Sequence, residues 1–266
     1  MTAPSAAAPA LRITACIITR DEEDRIGDCL ASLAGVADEV VVVDSGSTDR
    51  TRAIAAERGA RVIEHAWSGH VQQKNHAVAQ AASDWVLCLD ADERLGAELA
   101  RAIGRVKAAG PGAVRGFFVN RHTRYLGRWI RHGGWYPQWR LRLFDRRAGR
   151  WTGTDPHDRV EVAGPTARLD GDLLHDTYRS VSDHLRTIDS FTTIAARERR
   201  RAGRRFHVAM MLAGPVWRFV RMYVLRAGFL DGLPGLVLAL MAGYYVFLKH
   251  LKLFELERAG GDADGA

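Results

Sequence analysis

Two carboxylates separated by a single residue stand at Asp90-Ala91-Asp92, directly after the apolar run Trp85 to Leu89. Such a run predicts a strand. Alternate strand residues share a face, so both acids can point into one site. Paired hard oxygen donors suit Mg2+ or Mn2+, ions that also take phosphate oxygens. An Asp-Ala-Asp turn is common in proteins without a metal, so the pair gains its meaning from two other places. Asp44 follows the valines Val40 to Val43, and Asp21 lies just past the apolar run Leu11 to Thr19. An acid at Asp44 can accept hydrogen bonds from a nucleobase or a ribose. The turn Asp44-Ser45-Gly46-Ser47-Thr48-Asp49 also offers Ser47 and Asp49 as caps for a following helix, which leaves Asp44 itself unexplained.

The elements that must carry these acids alternate. Strands are predicted at Leu11–Thr19, Glu39–Val43, Arg61–Glu64 and Trp85–Leu89. Between and after them, helical spacing marks Ile26 to Gly35, a helix from the Asp44–Asp49 turn to about Arg58, Lys74–Ala82 and Glu98–Ala108, with Gly59 and Gly110-Pro111 as stops. A strand of consecutive valines is apolar on both faces, as in a parallel sheet covered by helices on both sides. The fold class expected is therefore α/β, an open, doubly wound, mostly parallel sheet. Ligands in such sheets bind beyond the carboxyl ends of the strands, where Asp21, Asp44, Asp90 and Asp92 all fall.

The rest of the chain differs. Phe117–Val119 and Leu141–Phe144 read as strands around an aromatic, basic loop from Tyr125 to Trp139, and Asp183–Arg201 reads as a helix with a charged face. From Phe206 onward two helices are expected. Pro215–Arg226 has Pro215 in its first turn, and Leu233–Leu253 has an uncharged stretch near the lower limit for spanning a bilayer. A basic amphipathic helix followed by a marginal apolar one suits residence in a membrane interface, with Arg204, Arg205, Arg218 and Arg221 near anionic headgroups; the alternative is that both helices cover the sheet. The organisation expected is a tail at 1–10, a catalytic domain at 11–205 (a nucleotide half to 110 and an acceptor half beyond), a membrane-interface segment at 206–255 and a tail at 256–266. Residues 1–10 lack the basic start and apolar core of a signal peptide. Cys16, Cys29 and Cys88 form no CxxC pair, which disfavours a zinc site or a disulfide framework. The net charge of +7 suits a nucleic acid, an anionic membrane or a phosphorylated substrate.

Three motifs occur in order on these elements: Ile17-Ile18-Thr19-Arg20-Asp21-Glu22-Glu23, Val42-Val43-Asp44-Ser45-Gly46-Ser47-Thr48-Asp49-Arg50-Thr51 and Leu89-Asp90-Ala91-Asp92-Glu93. Together they resemble family 2 glycosyltransferases. Trp135-Tyr136-Pro137, Arg140 to Phe144, Leu174-His175 and Gly228 to Gly232 extend the resemblance over about 11–255. It is closest to the bacterial lipopolysaccharide-core β-1,4-glucosyltransferase type. The resemblance implies a GT-A-like nucleotide-diphospho-sugar transferase fold and a single inverting sugar transfer from a UDP-sugar donor, glucose first. The acceptor implied is a lipopolysaccharide-core or other lipid-linked glycan, or another envelope polysaccharide, at the cytoplasmic face of the bacterial inner membrane. Residue by residue, it implies that Thr19 and Asp21 border the nucleotide, Asp44 binds uracil, Lys74 contacts the nucleotide and Asp90 faces the ribose. Asp92 would hold Mg2+ or Mn2+, with His175 completing the metal site. The family usually carries Asn where Asp21 stands. His157-Asp158 resembles the family's His-Glu, one methylene shorter, which implies Asp158 as the catalytic base with Asp155 as the local competitor.

Other functions fit less well. The loop after the first strand is acidic, unlike the basic glycine-rich loop of a nucleotidyltransferase, and GxGxxG is absent there. A nucleic-acid-binding module accounts for the Arg- and Trp-rich stretch 121–151 but not for acids at the strand ends, which repel phosphates; no nucleic-acid partner is expected. A processive synthase would carry QxxRW, whereas Gln138-Trp139-Arg140 has the wrong spacing.

Overall fold

In the computed structural model, which describes residues 11–154 and 158–261, the expected alternation is realised. β1 (Ile13–Thr19), α1 (Ile26–Ser32), β2 (Glu39–Asp44), α2 (Thr51–Glu57), β3 (Arg61–Glu64), α3 (His70–Ala79) and β4 (Trp85–Asp90) follow one another. β1 is buried along its whole length and pairs in parallel with β2 on one side and β4 on the other, while β3 extends the sheet beyond β2. Ile13, Ala15 and Ile17 pack into a core with Leu87 and Leu89; Cys16 and Ile18 pack into a second core with Val41, Val43 and Val86. Both faces are covered, which is why these strands read as unbroken apolar runs. The register sets Thr19 beside Asp44 and Ile18 beside Asp90, so the acids end their strands on one line.

Beyond β4 come β5 (Glu93–Leu95), α4 (Ala97–Ala109), β6 (Gly116–Tyr125), β7 (Arg128–Trp129), β8 (Trp139–Asp145), β9 (Gly149–Thr152), β10 (Arg159–Val162) and β11 (Thr166–Asp176). The sheet runs β3-β2-β1-β4-β8-β6-β11-β5, with β8 antiparallel to β4 and β6, and β11 antiparallel to β5. The sheet is therefore mixed, parallel across β3-β2-β1-β4 and antiparallel where β8 joins β4. β9 and β10 form a separate antiparallel pair. The sequence reading found the start of β6 and the middle of β8 but not β5, β7, β9, β10 or β11. β5 has only three residues, and β11 is interrupted by charges and by Gly171, so neither shows a clear period of two. Between Phe117 and Phe118 the partner on β8 steps from Leu143 to Leu141. Arg142 is thus the extra residue of a β-bulge, a device that re-aims a side chain.

The chain forms two compact units, one of residues up to 121 with 138–175, the other of 122–137 with residues from 176 onward. α5 (Val181–Arg201) falls in the second unit with α6 (Val208–Val220) and α7 (Gly232–Gly261). It buries His184, Ile188, Thr192 and Ala196 along one stripe and receives Lys252 of α7 at Asp189, 2.7 Å away. The loop expected at Tyr125–Trp139 lies in the same unit as far as Pro137, where Asp231 accepts the backbone N–H of His132 at 2.8 Å.

Two expectations about the helices are corrected. α6 starts at Val208, so Pro215 lies inside it rather than in its first turn. Its missing N–H removes one helical bond, and the carbonyl of Pro215 is approached closely by α7 at Gly243. α6 then loosens into a π-helical turn at Arg221–Leu225, and a short 3-10 turn at Gly228–Asp231 leads into α7. The tail expected at 256–266 is helical as far as Gly261; Phe206 N–H donates to Glu257 at 2.7 Å near this end. The expected tail 1–10 and residues 262–266 lie outside the described residues. The stretches Val208–Leu225 and Gly228–Ala259 are long and apolar enough to cross a bilayer, by length and composition.

Gly171 has φ +89°, and a Cβ there would lie 2.8 Å from the Glu98 carbonyl carbon and closer still to Leu99 N. Gly171→Ala should therefore cost roughly 2–4 kcal/mol, from backbone strain plus overpacking. Urea denaturation monitored by circular dichroism measures this, and an unchanged midpoint would refute the close approach of β11 to α4.

Candidate active site

Two loops at the carboxyl ends of β1 and β2 are tied together by side chains. Asp21 has φ 51°, a left-handed conformation that Asp and Asn tolerate better than most residues. Its backbone N–H donates to Ser47 Oγ at 2.9 Å, and its carboxylate accepts from Thr48 N–H at 2.8 Å. Glu22 N–H donates to Thr51 Oγ1 at 2.7 Å, and Glu23 accepts from Arg50 N–H at 3.0 Å. Asp44 is fully buried. Its carboxylate accepts the backbone N–H groups of Gly46 and Ser47 at 3.0 and 2.8 Å, and also the Ser47 hydroxyl. Asp44 thus organises its own turn, a task the sequence reading gave only to the residues after it. At the end of β1 the Thr19 hydroxyl is buried with no hydrogen-bond partner among the described residues.

The second cluster surrounds the Asp-Ala-Asp segment. Lys74, buried on α3, places Nζ 3.1 Å from Asp90 Oδ1 and 2.8 Å from Asp158 Oδ2. The first contact is ionic without aligned hydrogen bonding, and the second is a hydrogen bond. The same ammonium lies 4.4 Å from the centre of the Trp151 ring, a favourable cation–π approach. Asn75 of α3 holds Trp151 of β9 in place by exchanging two bonds of 3.0 Å with its backbone. From the bulge on β8, Arg142 Nη2 reaches Asp90 at 3.1 Å and Glu93 at 2.7 Å. Glu93 is fully buried and also accepts the Asp90 N–H at 3.0 Å. The Nε and Nη1 of Arg142 have no partner among the described residues.

Electrostatically the cluster locks itself in the charged state. Burial pushes the Asp90 carboxyl up, but Lys74 and Arg142 outweigh it and hold the group far below the usual carboxylate range. Burial pulls Lys74 down, and Asp90 and Asp158 more than offset it. Arg142 likewise ends above its ordinary value, with Glu93 and then Asp90 overcoming burial. These charges are taken out of water only because each meets an opposite one.

Asp92 turns to other partners. Its Oδ2 lies 3.2 Å from His175 Nε2 and 3.9 Å from Arg25 Nη1. Pairing of β5 with β11 sets His175 opposite Glu93 and so brings the histidine to Asp92. An oxygen and a nitrogen about 3 Å apart match adjacent ligands of an octahedral ion with bonds of about 2.1 Å. No group of three or more His, Cys, Asp or Glu suited to a metal occurs among the described residues. The pair thus fits Mg2+ or Mn2+ as a partial site that water and substrate oxygens would complete.

Among the residues singled out from the sequence, the structure brings Lys74, Asp90 and Asp158 into direct contact, pairs Asp92 with His175, and joins Asp21 to the Asp44 turn. Asp155 lies outside the described residues. Arg142, Glu93 and Trp151 were missed. The signal for Arg142 was an arginine within an apolar strand, Leu141-Arg142-Leu143, where a buried charge demands a partner.

The model of the family described as glycosyl transferase family 2 matches residues 14–164, more than half of the chain. The chain belongs to that family. A lipopolysaccharide core biosynthesis glycosyltransferase, LpsC of Rhizobium meliloti, is 29% identical over 93% of this chain and 93% of its own length. An uncharacterized glycosyltransferase of Rickettsia typhi is 29% identical over 92% of this chain and 87% of its own. Among solved structures, glucosyl-3-phosphoglycerate synthase of Mycobacterium tuberculosis, in complex with Mn2+ and UDP, has a TM-score of 0.37 at 23% identity, covering 45% of this chain and 46% of its own.

In this family 2 glycosyltransferase Glu93 is the counter-charge on which Arg142 depends. Glu93→Ala should cost roughly 3–5 kcal/mol by leaving a buried guanidinium short of a partner. The exposed Glu98→Ala should stay within about 0.5 kcal/mol of wild type. Equal denaturation midpoints for the two variants would contradict the arrangement.

Proposed function

We propose that this glycosyltransferase moves a single sugar, glucose from UDP-glucose in the first instance, with inversion onto a lipopolysaccharide-core or other lipid-linked glycan. The observation that carries the reading is the cationic pair Lys74 and Arg142 set among Asp90, Asp158 and Glu93 at the strand ends. It is supported by the likeness to LpsC, a lipopolysaccharide core biosynthesis glycosyltransferase, matched along nearly its whole length.

Donor binding falls to Thr19, the Asp21–Asp44 loop clasp, Lys74 and Asp90. The unpartnered Thr19 hydroxyl and the two unpartnered nitrogens of Arg142 are groups that a ligand's polar atoms would satisfy. Asp44 carries no exposed surface, so its contribution to a nucleobase is to hold the turn, with direct contact only if Ser47 gives way. A diphosphate would draw Lys74 toward itself and away from Asp158. Asp158 then stands free to accept the proton of the acceptor hydroxyl, while Arg142 keeps Asp90 in place. Mg2+ or Mn2+ held by Asp92 and His175 would neutralise the charge of the departing diphosphate.

Docking at the cytoplasmic face of the inner membrane fits the helices beyond residue 206. Val216, Trp217, Leu212 and Leu225 each leave more than half of their surface exposed. Such exposure is unusual for apolar side chains unless something covers them, and a lipid-linked acceptor is confined to that plane.

Asp158→Asn should lower turnover by roughly 10²–10⁴-fold with UDP binding retained or tightened by calorimetry, since Lys74 loses a competing partner. Near-normal turnover would move the base elsewhere. Asp92→Ala, or EDTA added to the wild type, should abolish transfer, and activity persisting in EDTA would remove the metal. On cell fractionation the full chain should pellet with membranes and come off with detergent, not with salt alone; recovery in the soluble fraction at low salt would defeat the docking reading.

A further inference from the structure

Three successive residues of α3 each hold a different part of the site. Lys74 meets Asp90 and Asp158, and Asn75 holds the backbone of Trp151. Gln73 is fully buried and reaches the ends of β2 and β3 instead. Its Nε2 donates to Ser45 Oγ at 2.9 Å and to the His65 carbonyl oxygen at 3.1 Å, and its Oε1 lies 2.8 Å from His65 Nδ1. The amide has one orientation only. A carbonyl oxygen accepts and never donates, so the group beside the His65 carbonyl is the NH2, and Oε1 accepts from Nδ1–H. The backbone closes the arrangement: His65 N–H donates to the Asp44 carbonyl at 2.9 Å, and Ser45 N–H donates to the Thr19 carbonyl at 3.0 Å. His76, three residues after Gln73, stacks on the His65 ring with centres 3.9 Å apart, which keeps the imidazole in place.

A buried amide is costly unless its polar atoms are paired. Here both N–H donors and the carbonyl oxygen are engaged, all with residues at the base of the turn that follows β2. Asp44 fixes that turn from within, through Gly46 and Ser47. Gln73 fixes it from outside, against the helix whose next residue is Lys74. The separation between the turn and the ammonium is therefore set by adjacent residues of one helix. A nucleoside diphosphate has its base and its phosphates at a limited covalent distance, and a site whose two contacts are already spaced to match loses less freedom on binding it.

We propose that Gln73 is a positioning residue for the nucleoside end of the donor: it holds the Asp44–Ser47 turn at a set distance from Lys74 without touching the ligand. The inference rests on the nucleotide-sugar reading above and adds to it a division of tasks, in which the turn serves the nucleoside and Lys74 the phosphates.

The test is calorimetry of the full chain, in Mg2+, with UDP and with inorganic diphosphate. Gln73→Met fills much the same space without hydrogen bonds, and Ser45→Ala removes only the oxygen that Gln73 holds. Each should weaken UDP about tenfold and leave diphosphate binding as in the wild type. The double variant should bind UDP no more weakly than Gln73→Met alone, because both changes cut the same tie. Lys74→Met should weaken both ligands, and Gln72→Met, at an exposed position of the same helix, should weaken neither. Circular dichroism confirms the fold of each variant, and Ser45→Ala carries the comparison if Gln73→Met does not fold. Wild-type UDP affinity in the folded variants would overturn the inference and leave the donor reading standing. An equal loss of UDP and diphosphate would make Gln73 a support of the whole pocket and overturn its assignment to the nucleoside end. Failure of the folded wild type to bind UDP would overturn the donor reading and the inference with it.

Discussion

A guanidinium buried inside a sheet cannot stand alone, and the arrangement of this site follows from how Arg142 is neutralised. Glu93 and Asp90 share its Nη2. Glu93 also caps the backbone of Asp90, so the acid at the end of β4 is fixed through both its main chain and its side chain. The remaining negative charge of Asp90 holds Lys74, and Lys74 holds Asp158. A chain of alternating charges thus runs from β5 through β8 and β4 to α3 and the start of β10. A buried network of this kind stabilises only weakly overall, since desolvation consumes most of the Coulomb energy. Its value here is positional: it sets two cations and a carboxylate at fixed separations beside the strand ends.

The network also accounts for the bulge. A regular β8 would alternate Leu141, Arg142 and Leu143 between the two faces in step with β6. With Arg142 as the extra residue, Leu141 and Phe144 enter one core and Leu143 the other, and Arg142 is left free to turn toward Glu93. A local break in the sheet is therefore what admits a charge into an otherwise apolar strand.

Much of the nucleotide half was legible in the sequence because its signals are local. Four apolar runs each ending in or just before an acid gave the parallel order, and the register of β1 with β2 and β4 made those acids neighbours. What the sequence left hidden depends on long-range pairing. Nothing near Leu174-His175 in the chain says that β11 will pair with a three-residue β5 and carry His175 to Asp92; that contact was implied by family resemblance alone. Asp44 looked free for a ligand because its role as the anchor of its own turn is a matter of backbone geometry. α6 was cut short at Pro215 because proline usually opens a helix, whereas here the turns on both sides are held by packing on α7. The grouping of α5 with α6 and α7 stayed hidden because its charged face says nothing about which apolar partner its opposite stripe will meet.

The central claim is that the charged chain through Lys74 is the seat of the donor's phosphates. Isothermal calorimetry of UDP, in Mg2+ or Mn2+, against the wild type and Lys74→Met tests it most directly, with circular dichroism confirming that both are folded. The account predicts saturable UDP binding by the wild type, weakened about tenfold or more in the variant through loss of a charge-assisted contact. Equal affinity in the two proteins, or no binding of UDP by the folded wild type, would contradict it.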